Sequence, residues 1–355
     1  MTNLKTLLLV MLCSIAVSMS AQQKKFSMYA IGFYNQENLF DTCHDEGKRD
    51  FDFLPSGTYK WTGLKYSHKL RNMAQALSEM GTDKLPMGCA FIGLAEVENA
   101  KCLQDLCAQE PLAKRNMKYV LFEGVDTRGI DVGCIYNPSL FKLDTLQTKL
   151  VPYQAEDTTF HTRGFLCVHG TIAGEHVVCI VCHLPSRLHG DDTGRVVGAQ
   201  QVTALREQFE KEDPNVKVFI MGDMNDDPTD RSMTTGLRGK EKMSDVAKGD
   251  MYNPWISVIK SGTGTLRYDG AWNLFDQILL SSNMIGNESK TYQKDILKDC
   301  TSLKFYSNQI FRRDYLFQTE GKYKGNPKRT HAGGQWLDGY SDHLPVVVYL
   351  VKEMK

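Results

Sequence analysis

VFIMGDMNDDP, residues 218–228, opens as four apolar residues and closes in charge. Val218 to Met221 read as a buried strand, a short apolar run ended by a turn signal. Gly222 lets another backbone pass close by. Asp223, Asn225, Asp226 and Asp227 follow at once. Asp223 and Asn225, two apart, share one face if the extended geometry continues. Asp226 and Asp227 precede Pro228 and read as an exit turn. A core strand that ends in an acid and an amide is a device for aiming polar groups, and it recurs along the chain.

Further strand candidates lie at 28–34, 90–95, 120–122, 132–136, 165–172, 176–182, 216–221, 276–280 and 344–351. Leu70, Met73, Ala74, Leu77 and Met80 carry helical spacing, as do Val202, Leu205 and Phe209. The runs 165–172 and 176–182 read as a hairpin across Ala173–Gly174. The order is not βαβ throughout, which argues against a doubly wound parallel sheet. Mixed or antiparallel sheets covered by helices, an α/β (α+β) class, fit better. Residues 283–340 are polar and Gly-rich and read as a loop-rich insertion. No repeat or linker tract breaks the chain, so one domain is expected over 25–355.

The chain has 355 residues, ample for a core, and 42 Lys plus Arg balance 42 Asp plus Glu. That balance excludes attachment to nucleic acid by bulk charge, though not through a local basic patch. Residues 1–21 read as a secretory signal peptide: Lys5, an apolar run from Leu7 to Val17, then Ser18, Ser20 and Ala21. The run is too short for a stable transmembrane span, and Leu12 is a poor residue before a lipidated Cys13. An exported protein is expected, periplasmic or extracellular. Ten cysteines include nine beyond the leader. Their spacing matches no zinc site. Cys179 and Cys182 lie in a strand, on opposite faces, and read as core. Pairing is not fixed by the sequence, Cys102 with Cys107 being one option left open.

Polar residues gather at the strand ends: Asn35, Glu37, Glu96, Glu98, Asp131, His183, Asp223, Asn225, Asp276, Asp342 and His343. Each alone is more often a cap, a turn or a satisfied structural group. The set is informative, because strand ends on one side of a sheet converge. Oxygen donors such as Asn35, Glu96, Asp223, Asn225 and Asp342 suit a hard cation, Mg²⁺ or Mn²⁺. Two histidines, each expected to be held and kept cationic by an Asp, suit acid–base work. A cation, two histidines and amide donors around one cleft suit an anionic transition state, with phosphoester cleavage the natural candidate.

FYNQENLFD (33–41), GLAEVEN (93–99), TRGIDVGCIYN (127–137), CHLPSR (182–187), MGDMNDDP (221–228), FDQILLS (275–281) and YSDHLPV (340–346) occur in this order. Together they resemble the endonuclease/exonuclease/phosphatase superfamily, the deoxyribonuclease I-like group. The resemblance implies a four-layer sandwich of two mixed β-sheets flanked by helices, with the site at one edge. It implies that Asn35 and Glu96 hold the metal with Asp342 as a further ligand. Asp223 would hold or activate the attacking water or bind a second metal, and Asn225 would meet a phosphate oxygen. His343 would be oriented by Asp276, with its role as base or electrostatic stabiliser left open. His183 would face the phosphate from the other side, partnered by Asp131. Arg128 and Arg187 are candidate phosphate clamps.

The expectation is a metal-dependent phosphodiesterase acting, as a monomer, on a nucleic acid backbone, DNA or RNA. The alternatives are a sphingomyelinase-like enzyme acting on membrane lipid, another phosphoester phosphatase, or a binding protein that kept the fold without catalysis. Arg312, Arg313, Lys322, Lys324, Lys328 and Arg329 are candidates to meet phosphates, or else a solvated face.

Overall fold

The computed structural model describes residues 24–155, 161–286 and 293–354. The expected leader, 1–21, lies outside them. In chain order the strands are β1 (Phe26–Leu39), β2 (Phe91–Val97), β3 (Lys118–Leu121), β4 (Asp131–Tyr136), β5 (Lys142–Val151), β6 (Phe165–Ile172), β7 (Glu175–His183), β8 (Lys217–Asp223), β9 (Gly239–Lys240), β10 (Met251–Tyr252), β11 (Leu266–Tyr268), β12 (Ala271–Asn273), β13 (Asp276–Ser281), β14 (Lys304–Ile310), β15 (His331–Ala332), β16 (Gln335–Trp336) and β17 (Val346–Glu353). One sheet has the order β14-β17-β1-β2-β4-β3 and a second β5-β6-β7-β8-β13-β10-β9. Two small hairpins, β11–β12 and β15–β16, stand apart from them.

The two sheets are built alike at their centres. β1 runs parallel to β2, and each is flanked by an antiparallel strand, β17 and β4. β7 runs parallel to β8 with β6 and β13 antiparallel outside. The C-terminal ends of the four central strands therefore meet the N-terminal ends of β4, β13 and β17 at one edge. This edge gathers the polar strand ends read from the sequence.

Strand alternation sorts the core into layers. Ile31, Phe33, Val132, Val181, Phe219, Met221, Ile278 and Val346 pack between the sheets. Ala30, Tyr34, Ile92 and Leu94 face the other way, against Leu70, Met73 and Leu77 of the helix Gly63–Glu79 and Leu103 and Leu106 of the helix Ala100–Cys107. Val178, Ile180, Val218 and Ile220 pack on Val202 and Phe209 of the helix Thr193–Glu212. The result is two mixed sheets flanked by helices, as expected. Cys179 joins the layer between the sheets and Cys182 the layer under the helix. All nine cysteines of the described residues are free thiols, eight of them buried, and Cys102 and Cys107 are unpaired.

The hairpin between β6 and β7 turns at Ala173 and Gly174, with φ of 53° and 77°. Positive φ at both central positions suits the right-handed twist of the strands. One expectation changes. Residues 283–340 are not merely an insertion, because β14 pairs along most of β17 and closes one edge of its sheet. Its inner face is only partly apolar, as suits an edge strand, and it left no clear alternation to read.

Candidate active site

Register places the central acids. His183 lies opposite Asp223 across β7 and β8, and Asp223 lies opposite Asp276 across β8 and β13. All three extend the rows of Val181, Met221 and Ile278, which face the other sheet. Asn35 extends the row of Phe33 on β1 in the same way. The register of β1 shifts between Asn35 and Leu39, and that of β2 between Ala95 and Val97. Glu37, Asn38 and Glu96 occupy the left-handed region there, with φ of 45°, 59° and 60°. Such a conformation costs roughly 1–3 kcal/mol for a residue with a side chain. Tight loops and a network of bonds hold it in place.

Asp223 is the centre. Its Oδ2 accepts from Asn35 Nδ2 at 2.9 Å and its Oδ1 from Asn225 N at 3.0 Å. The same Oδ2 lies 3.6 Å from His183 Nε2 and 3.8 Å from His343 Nε2. Glu96 stands beside it, with Oε1 4.0 Å from His183 Nε2 and Oε2 accepting from Asn38 N at 3.0 Å. Asp342 Oδ1 is 3.9 Å from His343 Nε2. The site thus unites Asn35, Glu96, His183, Asp223, Asp276, Asp342 and His343.

The two histidines differ. His343 Nδ1 is 2.7 Å from Asp276 Oδ2, which also accepts from Thr265 Oγ1 at 2.5 Å. Ser341 Oγ accepts from His343 N at 3.1 Å and donates to Asn35 O at 2.8 Å, tying the last loop to β1. Burial pushes the His343 pKa down, but Asp276, Asp223 and Asp342 outweigh it and hold the imidazole well above its usual value. His183 is held well below its usual value by burial and by Arg163, Arg128 and His343. Its Nδ1 is buried without a hydrogen-bond partner. The expectation of two cationic histidines is therefore met by one.

Asp131 does not partner His183. Its Oδ1 accepts from Gly124 N at 3.0 Å, and burial raises its pKa to about 6. The reason is alternation: Val132 and Cys134 face the other sheet, so Asp131 projects from the opposite face of β4. A different pair braces this strand end. Buried Arg163 donates to His183 O at 3.0 Å and Leu184 O at 3.2 Å and pairs with buried Asp126 at 3.1 Å.

Asn225 also departs from expectation. Its φ is 49°, so the extended geometry stops at Asp223, and Nδ2 donates to Leu184 O at 2.9 Å. Asp226 and Asp227 are structural, as read. Asp226 pairs with Arg195 at 2.8 Å and accepts from Ser232 Oγ at 2.7 Å. Asp227 accepts from Leu274 N and Asn273 Nδ2. Arg187 is spent on this loop, donating to Asn225 O at 2.9 Å and Asp230 at 2.6 Å and lying over Phe275. Arg128 is exposed, donates to Asn38 Oδ1 at 2.9 Å, and exerts the largest positive charge effect on Glu96.

Thr265 and Lys69 escaped the sequence reading, and Arg329 was named there only as one of six basic candidates. Arg329 bridges Asp342, at 2.6 Å, and Glu37, at 3.4 Å. Thr265 fixes Asp276, and Lys69 is buried behind Glu37, donating to Thr330 Oγ1 at 2.8 Å. Arg329 lay among the basic candidates, but nothing local in the sequence told its position from the others. Thr265 reaches the site only through the small β11–β12 hairpin, where Leu266 bridges to His343.

Burial pushes Glu96 and Asp223 above the usual carboxylate range, and neighbouring acids add to it, Asp342 for Glu96 and Asp276 for Asp223. Buried like charges of this kind, all oxygen donors, fit a hard divalent cation. Separately, Asp223, Asp276 and the imidazole of His343 offer ligand atoms all within 4.8 Å of one another.

Comparison with known proteins gives the family and the fold. Residues 30–352 match the endonuclease/exonuclease/phosphatase family. No curated protein matches. Among solved structures, a family member from Bacteroides thetaiotaomicron superposes with TM-score 0.55 at 15% identity, over 94% of this chain and 98% of that one. A mannosyl-6-phosphatase of the same organism gives 0.54 at 16% identity, over 91% and 99%. D. rerio TDP2 with a single-strand DNA product gives 0.52 at 15% identity, over 91% and 99%. At such identities these likenesses show the fold alone.

Proposed function

The chain belongs to the endonuclease/exonuclease/phosphatase family, and from that premise we propose that it is an exported, divalent-metal-dependent phosphoester hydrolase. The observation that carries the reading is His343, paired with Asp276 through Nδ1 and facing Asp223 through Nε2, beside Glu96 and His183. Glu96 and Asp342, oxygen donors that line a cavity of about 180 Å³ beside His343, would hold Mg²⁺ or Mn²⁺, with buried Asn35 behind them, its Oδ1 accepting from Glu37 N at 2.8 Å. An ion held by Asp276 and His343 instead would break the pair that orients the imidazole. The cation would supply charge neutralisation on a phosphate oxygen.

The chain's own residues do the rest. Cationic His343 presents Nε2–H to the oxygen on which negative charge grows, with Asp276 fixing its tautomer. Asp223 is suited to orient a water and to take its proton, since burial raises its proton affinity. Neutral His183 and the backbone around Asn225 line the other side of the phosphate. Arg128 adds positive charge at the rim.

Three of the six basic candidates are engaged within the fold, which weakens the case for a nucleic acid substrate. Arg313 is tied to Asp83 at 2.6 Å, Arg312 to Thr263 at 2.6 Å and Arg329 to Asp342. Structural neighbours act on a mannosyl phosphate in one case and hold a DNA product in another. A phosphoester phosphatase is therefore the better reading than an endonuclease. A panel of p-nitrophenyl phosphate, bis-p-nitrophenyl phosphate, plasmid DNA, RNA and sphingomyelin, with Mg²⁺ or Mn²⁺, tests the class. Turnover of an ester abolished by chelation is expected. Silence on all five with either metal sinks it and favours a non-catalytic binding protein.

A further inference from the structure

The second sheet carries another pair of histidines, at the end away from the reacting groups. On the β6–β7 hairpin His169 lies opposite Val178, and Thr171 lies opposite His176. Both imidazoles therefore stand on the face that Val178 turns to the helix Thr193–Glu212, as diagonal neighbours. His176 precedes His183 by seven residues of β7, about 23 Å at the ~3.3 Å rise of a strand. Nothing at the catalytic edge touches this pair.

Its geometry is that of two ligands to one ion. His169 Nδ1 lies 3.4 Å from His176 Nε2. That is longer than the ~2.7–3.2 Å of an ordinary N–H···O bond. Two nitrogens that each stand ~2.0–2.1 Å from a tetrahedral Zn²⁺ are about 3.3–3.4 Å apart. The lone pairs are set for it. His176 Nδ1 donates to Asp213 Oδ2 at 2.8 Å, while Asp213 Oδ1 accepts from Asn215 N at 2.9 Å. A carboxylate that accepts on both oxygens leaves the proton on Nδ1, so His176 Nε2 keeps its lone pair toward His169. A carboxylate behind a histidine in this way is the usual brace of a metal ligand.

His169 is held from the other side. Its N donates to Thr148 Oγ1 at 3.1 Å, and its ring packs edge-on against Phe209 at 4.8 Å. Its Nε2 is buried without a hydrogen-bond partner, so the ring meets a polar group only through Nδ1. His169 is 3% exposed, but the His176 side chain is 31% exposed, which gives an ion a way in from solvent. The charges around the pair are Asp144, Glu212 and Asp213 against Lys149 and Lys217, so a cation is not repelled. Imidazole nitrogens select Zn²⁺ or Cu²⁺ over Mg²⁺ and Mn²⁺, the reverse of the oxygen donors at the catalytic edge.

We propose that His169 Nδ1 and His176 Nε2 form a second cation site, for a transition-metal ion such as Zn²⁺, with Asp213 orienting His176 and water completing the coordination. The ion would clip the β6–β7 hairpin near the turn that leads into β8. All cysteines of the described residues are free thiols, so no disulfide does that work there.

The test titrates the mature protein with Zn²⁺ against a chromophoric chelator, in excess Mg²⁺. The expected result is one equivalent of Zn²⁺ that wild type binds at least tenfold more tightly than His176→Ala. Asp213→Ala should weaken the same equivalent about 10–100-fold, the range typical of a lost partner to a ligating histidine. Zn²⁺ should raise the melting temperature of wild type more than that of His176→Ala. In wild type with isotope-labelled imidazoles, Zn²⁺ should shift the NMR signals of His169 Nδ1 and His176 Nε2, a readout independent of any variant's folding. Equal Zn²⁺ affinity in wild type and folded His176→Ala, or imidazole signals that stay still under saturating Zn²⁺, overturns the site and leaves two histidines joined by a long hydrogen bond.

Discussion

At the scale of residues, the cluster works through differences between like groups. Two imidazoles face one carboxylate, yet Asp276 keeps His343 charged while burial keeps His183 neutral. Replacing Asp276 by Ala should lower the His343 pKa, visible in its NMR titration, and cut kcat about 10²–10⁴-fold, a range typical of general acid–base groups. A normal rate in that variant would remove His343 from the chemistry. Asp131 gives a separate test. Its pKa rises from 3.8 to about 6 on folding, so its protonated form is favoured in the folded state. Stability from this group is present below pH 3.8 and lost as pH rises through 6. A shift of about two units corresponds to about 3 kcal/mol. The difference in denaturation free energy between wild type and Asp131→Asn should grow by up to that amount across this window, in favour of the variant. A pH-independent difference would show that folding leaves the Asp131 pKa unchanged.

At the scale of elements, the site depends on how closely β7 and β8 approach. A Cβ on Gly222 would fall 2.0 Å from Cys182 O, a backbone atom that cannot move aside. Gly222→Ala should cost at least the ~1–3 kcal/mol typical of overpacking and shift His183 from Asp223. A chemical denaturation curve and the turnover rate together check this; wild-type values in both would show the strands have room. The sequence made most of this level legible. Strands with clean apolar runs, such as β6 and β8, were readable because both faces are buried. The edge strands β5 and β14 were not, because pairing rather than burial defines them. Side-chain direction was readable only where alternation persisted. Alternation with the apolar residues before it aims Asp223, but the turn at Asn225 and the bulges around Glu96 cannot be seen in a periodicity. Asp131 was misassigned for a related reason: a strand's first residue looks the same in sequence whichever face it takes.

At the scale of the molecule, two sheets with the same parallel centre bring seven polar side chains from distant segments to one edge. Most identities at that edge were legible, because the motifs surround them. The wall of the cavity was not, since Phe53, Tyr59, Arg329 and His331 come from two loops whose meeting only the fold reveals. A concentrated negative edge also predicts a ligand effect on stability. Mg²⁺ or Mn²⁺ at a hundred times its Kd should stabilise the protein by about 2.7 kcal/mol, through binding to the folded state alone. Glu96→Gln should lose most of that rise in melting temperature, and an equal rise in the variant would place the ion elsewhere.

The central claim is that a cation and His343 act together on a phosphoester. Its most direct test is the steady-state hydrolysis of p-nitrophenyl phosphate and its bis ester by wild type and His343→Ala, each with Mg²⁺, Mn²⁺ or EDTA. Metal-dependent turnover by wild type that falls at least a hundredfold in the folded variant is the predicted result. Turnover that persists in EDTA, or that His343→Ala leaves unchanged, would contradict it.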